Sequence, residues 1–299
     1  MENSLLSIIA LSKNYGRIKA VDNLSLEIGR GEVFGLLGPN GSGKTTTLGI
    51  VLGAISLDGG SYQWFNEKPD STTIRRIGSI LEVPLFYPYM NAVDNLKLIA
   101  DIKRIPYDGI DEVLHRVGLF QRRDSAFRTY SLGMKQRLAV GAALLGNPEV
   151  LILDEPTNGL DPQGIAEIRS LIKSIAEMGK TIILASHLLD EVQKICSHVA
   201  VLDHGKCLFS GKVDNMLGKT RMLEVASDDL HLLFSLLSSY EGLMNPFMVD
   251  GLVKAELRND VSPDDINRYL FGKGVILNHL TTEKLSLEKY FLEILADKS

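Results

Sequence analysis

Apolar residues along this chain fall into two kinds of run, and the difference predicts where each strand lies. Leu24 to Ile28 alternates apolar with polar, the period of a strand with one buried face, and Leu5 to Lys13 is a second β-rich run. Val33–Gly38 is a short apolar run that ends in a Gly-rich turn, and Ile77–Leu81, Val150–Leu153, Thr181–Ala185 and Val199–Leu202 are short, rich in β-branched residues and without alternation. That pattern predicts strands buried on both faces of a mainly parallel sheet. Helical patterns at Lys44–Leu52, Gln163–Met178 and Leu188–Cys196 lie between them, which makes an α/β layout. From about Pro88 to Asn147 no strand pattern occurs, and the segment reads as a helical insertion. Its clearest helices, Asp94–Ile102 and Asp111–Val117, each open with an Asp, a favourable residue at a positive helix end.

After Gly218 the pattern changes. Strand (Arg221–Ala226), helix (Asp228–Tyr240), strand (near Phe247–Val249), strand (Leu252–Leu257), helix (Ser262–Phe271) and strand (Val275–His279) follow in order. This is the split βαβ, ferredoxin-like sequence of elements. An amphipathic helix over Leu287–Leu295 is predicted to end the chain. The expected organisation is therefore a first domain over residues 1–218, with a helical subdomain at about 88–147, and a small α+β domain over 219–299.

Composition adds limits. The 299 residues are 45% hydrophobic and 23% charged, ordinary for a globular protein. A net charge of −5 supplies no global basic field for nucleic acid or an anionic bilayer. Two cysteines, Cys196 and Cys207, fit a reducing compartment. With His198 and His204 they cluster in sequence, but a strand separates the pairs and the spacing matches no common zinc pattern, so buried bystanders are the reading. The start, Met1-Glu2-Asn3-Ser4, lacks the positive charge of a secretion signal. The longest weakly polar stretch, Leu138–Leu153, is too short to span a bilayer and is interrupted by Asn147, Pro148 and Glu149. The chain is expected not to cross a membrane itself.

Two motifs carry chemistry. Gly38-Pro39-Asn40-Gly41-Ser42-Gly43-Lys44-Thr45 is an instance of G-x-x-x-x-G-K-[ST] between a buried strand and a helix. Glycines let successive backbone N–H groups close on phosphate oxygens, the helix adds its positive end, Lys44 reaches the β- and γ-phosphates, and Thr45 can ligate Mg²⁺. The second motif is Val150-Leu151-Ile152-Leu153-Asp154-Glu155, a buried strand ending in two carboxylates. Such carboxylates are costly without a partner. A magnesium ion held by Asp154 supplies one, and Glu155 can then orient or deprotonate an attacking water. The alternative is an Asp that caps the next turn beside a solvated Glu155.

With these two motifs in this order, residues 5 to 217 resemble the nucleotide-binding subunit of ABC transporters. Three further segments carry the resemblance: Tyr130-Ser131-Leu132-Gly133-Met134-Lys135-Gln136-Arg137 is similar to the family signature, Asn158-Gly159-Leu160-Asp161 to its D-loop, and Ser186-His187 to its switch histidine. The resemblance implies a P-loop NTPase fold of the ABC type, with ATP and Mg²⁺ as ligands. It adds Thr46 to the nucleotide-binding set, places Tyr15 against adenine and gives Glu155, His187 and Lys44 the catalytic roles. It implies two subunits that sandwich ATP head to tail, so that Ser131, Gly133 and Asp161 of one complete the site of the other. Separate integral membrane permease subunits would complete the machine, and the chain would sit on the cytoplasmic face of the membrane.

Two positions depart from the family pattern. Leu132 and Met134 stand where Gly and Gln are usual, and Glu82 stands where the family places a Gln near Mg²⁺. Glu82 can ligate the metal but adds negative charge, and its plain alternative is a solvated strand end. His187 could instead cap the helix that follows, Tyr15 could be core, and Asp161 could be only a turn residue before Pro162. Two functions are weighed: an ATPase subunit powering a transporter, of export type by its signature and tail, and a soluble ABC-type ATPase acting on ribosomes or DNA. The charge balance and the single nucleotide-binding domain favour the first.

Overall fold

Strands β1 (Ser4–Tyr15) and β2 (Ile18–Gly29) form an antiparallel hairpin in which Tyr15 pairs with Ile18 across the turn at Gly16 and Arg17. The chain then runs through β3 (Val33–Leu37), α1 (Lys44–Val51), β4 (Gly59–Trp64), the short α2 (Ser71–Arg75) and β5 (Ile77–Ile80). Sheet order β2-β1-β4 joins the hairpin to β4, a strand the sequence pattern did not predict. Trp64, fully buried at its end, donates from Nε1 to the Val51 carbonyl at 2.7 Å and so fixes the end of α1 against this sheet. The computed structural model describes residues 4–81, 85–216, 221–258 and 261–284. Glu82 and the predicted helix 287–295 lie outside the described residues. The chain divides into two compact units, Met1–Gly211 and Lys212–Ser299.

The helical segment contains α3 (Ala92–Lys103), α4 (Ile110–Arg116) and α5 (Leu132–Leu144), with two 3₁₀ turns before α5. Asn91, not Asp94, caps α3: its Oδ1 accepts from the Asp94 N–H at 2.8 Å, and Asp94 sits in the first turn. Gly109 precedes α4, with Asp111 and Glu112 in its first turn. Asp94 and Asp111 therefore face the positive end of the helix dipole as expected, but within the first turn, because α3 starts two residues and α4 one residue before the boundaries that sequence suggested.

Next come β6 (Val150–Asp154), α6 (Pro162–Ala176), β7 (Thr181–Ser186), α7 (Leu189–Ile195), β8 (His198–Asp203) and β9 (Lys206–Lys212). The six-stranded sheet has the order β5-β6-β7-β3-β8-β9. Every residue of β3, β6 and β7 is buried, which explains why none of them alternates. These three run parallel, and the register sets Asp154 beside Ala185 and Leu37 beside Ser186. The carboxyl ends of three strands thus open at one edge, where ligands of such sheets bind.

The second unit contains α8 (Val213–Met216), β10 (Arg221–Ser227), α9 (Leu230–Ser238), β11 (Leu243–Val249), β12 (Leu252–Leu257), α10 (Pro263–Gly272) and β13 (Leu277–Lys284). Its sheet order is β11-β12-β10-β13, with every neighbouring pair antiparallel. This is the ferredoxin-like topology. Leu223, Val225, Val253 and Ala255 pack with Leu233, Leu237, Ile266 and Leu270 into its own core. Asp229 caps α9, and Ser262 with Asp265 forms a capping box on α10.

Candidate functional site

Between β3 and α1 the backbone closes into a tight loop. At Gly43, φ is 104° and an added Cβ would stand 2.3 Å from the Ala20 carbonyl oxygen, so only glycine fits. Gly43 leaves α1 without a side-chain cap, and its first N–H groups remain available to an anion at the positive end of the helix. Lys44 is buried; its Nζ donates to the Gly38 carbonyl at 2.7 Å and to that of Pro39 at 3.2 Å. Burial lowers its pKa, and the charges of Glu155 and Asp154 oppose that shift. The Ser42 hydroxyl is buried in the loop and has no hydrogen-bond partner among the described residues.

The strand-end acids meet this loop. Thr45 Oγ1 donates to Asp154 Oδ2 at 2.7 Å, and Lys44 Nζ stands 3.7 Å from Glu155 Oε1. Asp154 ends β6 in its buried face, whereas Glu155 turns away from the strand at a φ of 49°. A non-glycine residue pays for that left-handed conformation, and two backbone hydrogen bonds hold it there: Glu155 N to Ala185 O at 2.9 Å and Asn158 N to Glu155 O at 3.1 Å. The turn directs Glu155 Oε2 to within 2.8 Å of His187 Nδ1. His187 does not cap α7; the residue before that helix is Leu188, whose N–H is taken by Ser186 Oγ at 3.0 Å.

Tyr15, Asn40, Gly41, Gly43, Lys44, Thr45, Thr46 and Glu155 line one open cleft of about 300 Å³. Tyr15 is about half exposed there rather than in the core. Ile18 and Ala20 line the same cleft and were missed from sequence. Their only signal is position: the hairpin brings Ile18 opposite Tyr15, and no motif marks either residue.

Ser131, Gly133 and Asp161 lie elsewhere. They line a second cleft of about 510 Å³, together with Leu132, Gly159 and Gln163, and no residue is common to the two clefts. Ser131 caps α5 through its Oγ, which accepts from Met134 N at 3.3 Å. Asp161 caps α6, its Oδ1 accepting from Gly164 N at 2.9 Å with Pro162 following. Leu132 is 45% exposed and reaches over Gly159, where an added Cβ would come within 3.3 Å of Leu132 Cδ2.

The family model for the ABC transporter matches residues 21–158. The bacitracin transport ATP-binding protein BcrA of Bacillus licheniformis is 37% identical over 300 residues, covering 98% of each chain. This chain belongs to the ABC transporter family. The lantibiotic transport ATP-binding protein SrtF of Streptococcus pyogenes is 38% identical over 210 residues, 70% of this chain and 92% of that protein. Among solved structures, CbiO1 of Clostridium perfringens, part of the ABC transporter complex CbiONQ, superposes with a TM-score of 0.64 at 32% identity over 71% of this chain and 89% of that one. An ATP-binding cassette of an ABC transporter in its ADP conformation has the same fold, with a TM-score of 0.64 at 24% identity over 71% of this chain and 92% of that one. The chain is therefore an ABC transporter ATP-binding subunit, an ATPase by family. Among the described residues no helix is long and apolar enough to cross a membrane.

Proposed function

We propose that this ABC transporter subunit hydrolyses ATP as a homodimer to drive export through separate permease subunits, held at the cytoplasmic face of the membrane. One observation carries the hydrolytic part: the phosphate loop meets the strand-end acids, with Thr45 on Asp154 and Lys44 facing Glu155. A hydroxyl and a carboxylate are hard oxygen donors, the kind Mg²⁺ takes beside phosphates, so Thr45 and Asp154 are its ligands and Glu82 is a further candidate. When bound, the ion neutralises phosphate charge. The loop from Gly38 to Thr46 cradles the phosphates, with the first N–H groups of α1 free of any side-chain cap, and the buried Ser42 hydroxyl gains a partner there. Glu155 orients the attacking water and accepts its proton, His187 holds Glu155 in place and reaches toward the γ-phosphate, and Tyr15 stacks on the base.

The separation of the two clefts supports the dimer. Ser131, Gly133 and Asp161 stand apart from the chain's own phosphate loop, as half-sites that a second copy completes head to tail. Exposed Leu85, Tyr87 and Tyr89, beside α3, form an apolar row suited to a membrane subunit, within the stretch from 82 to 95. The names of the relatives point to peptide antibiotics as cargo. In this reading residues 88–147 are the helical subdomain facing the permease and 219–299 an accessory domain. The test is reconstitution with the co-purifying membrane protein in vesicles, measuring ATP-dependent movement of bacitracin. Transport that stops with Glu155→Gln supports the reading; a preparation that hydrolyses ATP but binds no membrane protein and moves no peptide sinks it.

A further inference from the structure

The Tyr15 ring is about half exposed at the tip of a two-residue hairpin, and the turn alone does not orient it. Its bracing comes from elsewhere in the chain. Asp58, the residue before β4, grips the three residues that precede Tyr15. Its N–H donates to the Ser12 carbonyl at 2.9 Å. Its Oδ2 accepts from the Asn14 N–H at 2.7 Å and from Asn14 Nδ2 at 3.3 Å. Its Oδ1 accepts from Lys13 Nζ at 2.9 Å.

Lys13 links this clasp to the ring. Its side chain is only 12% exposed, and its Nζ stands over the Tyr15 ring at 5.6 Å from the centroid. An ammonium on one face of an aromatic ring is attracted by the π-system and leaves the opposite face for a second flat partner. With Asp58 partly open to solvent, the ion pair contributes little stability on its own. The effect of this one is geometric: a carboxylate bound to backbone, amide and ammonium at once fixes the direction in which β1 ends and the side of the ring that stays open.

We infer that Asp58 is a positioning residue for the nucleotide base, setting Tyr15 against a purine through Lys13 and Asn14. The inference rests on the base-stacking role proposed above for Tyr15. A clasp that only joined β1 to β4 would affect ligands with and without a base alike; a brace for Tyr15 affects only those with one.

Titration calorimetry on the intact chain separates the two. ATP with Mg²⁺ and inorganic triphosphate with Mg²⁺ are bound to wild type, Asp58→Ala, Tyr15→Ala and the double variant. Stacking on an aromatic side chain is lost in part, so Asp58→Ala is expected to weaken ATP roughly threefold to tenfold. Triphosphate affinity stays within about twofold, and in the Tyr15→Ala background Asp58→Ala adds no further loss. Equal losses for ATP and triphosphate, or a loss that persists without Tyr15, overturn the inference. Should Asp58→Ala fail to fold, Asp58→Asn keeps a carbonyl acceptor for Asn14 and removes the charge facing Lys13, and the same base-dependent loss is expected of it. Unchanged ATP affinity in Tyr15→Ala alone overturns both the stacking role and this inference, while the phosphate-loop reading stands on Lys44→Ala.

Discussion

His187 Nδ1 lies 2.8 Å from Glu155 Oε2, so the residue after β7 holds the carboxylate that follows β6. The other oxygen of Glu155 faces the Lys44 ammonium at 3.7 Å. A carboxylate held on one side by His187 and facing an ammonium on the other, next to the phosphate loop, is placed to take a proton from water. Glu155→Gln keeps the size and an oxygen or amide for His187 to bond but cannot accept that proton. Turnover should fall by roughly a hundredfold or more, with ATP affinity preserved. Steady-state phosphate release alongside nucleotide titration checks this, and unchanged turnover would remove Glu155 from its role.

Lys44→Ala acts on binding rather than on the chemical step. The ammonium is buried and already satisfied by the carbonyls of Gly38 and Pro39, so its contribution to phosphates is a fixed charge in a partly desolvated site. Charge-assisted bonds of this kind contribute about 1.5–3 kcal/mol each, which corresponds to at least a tenfold loss of ATP affinity. Calorimetric titration is the measurement, and a normal dissociation constant contradicts the loop assignment.

The phosphate loop was legible in sequence because its parts are contiguous: Gly38 to Thr45 lie in one segment, and the glycine at 43 answers a single close contact with Ala20. Adjacent strands were equally readable where burial is complete, since β3, β6 and β7 carry unbroken apolar runs. What escaped depends on distant segments. β4 opens Gly59-Gly60-Ser61 and is defined by pairing with β1, not by its own pattern. Ile18 and Ala20 reach the cleft only through the hairpin register, and Asp58 meets Lys13 and Asn14 across 45 and 44 residues of chain. The left-handed turn at Glu155 has no glycine to announce it, because tertiary hydrogen bonds hold a residue there that local preference disfavours.

Gly43→Ala tests the loop geometry without touching a charge. The new methyl would sit 2.3 Å from the Ala20 carbonyl, which is backbone, and the φ of 104° is unfavourable for any L side chain. Overpacking and backbone strain together should cost about 2–4 kcal/mol of stability. Nucleotide binding should be lost even where the variant still folds, because the loop must open to accept the methyl. Chemical denaturation and ATP titration of the same preparation check both parts.

Lys103 gives the fold a pH dependence whose sign follows from burial. Its Nζ donates to the carbonyls of Ala142 and Leu145 at the end of α5, and desolvation lowers its pKa from 10.5 to about 8. Between those values the unfolded chain holds a proton that the native chain has released, so stability rises with pH across that window and is flat below it. Relative to Lys103→Met, wild type should gain on the order of 3 kcal/mol between pH 8 and 10.5. Urea midpoints for the two proteins across this range decide it; a difference that stays constant with pH contradicts the assignment.

Asn95 organises the exposed row Leu85, Tyr87 and Tyr89 from inside the helical segment. It is 2% exposed; its Oδ1 accepts from Tyr87 N at 2.8 Å, and its Nδ2 lies 3.2, 3.3 and 2.9 Å from the carbonyls of Tyr87, Met90 and Asn91. The same loop is bonded to the segment before the signature, through Phe127 N to Met90 O at 2.8 Å and Arg128 N to Pro88 O at 2.9 Å. Asn95→Ala removes the acceptor of the Tyr87 N–H and the side-chain donor to the carbonyls of Tyr87, Met90 and Asn91, which keep their backbone donors, at a cost of about 1–3 kcal/mol. The damage should concentrate in the loop: hydrogen exchange at Tyr87 and its neighbours should accelerate by roughly tenfold or more while the β6 and β7 amides keep their protection. If the exposed row is where the membrane subunit docks, co-purification weakens in the same variant. Uniform loss of protection across both strands and loop would instead make Asn95 an ordinary core residue.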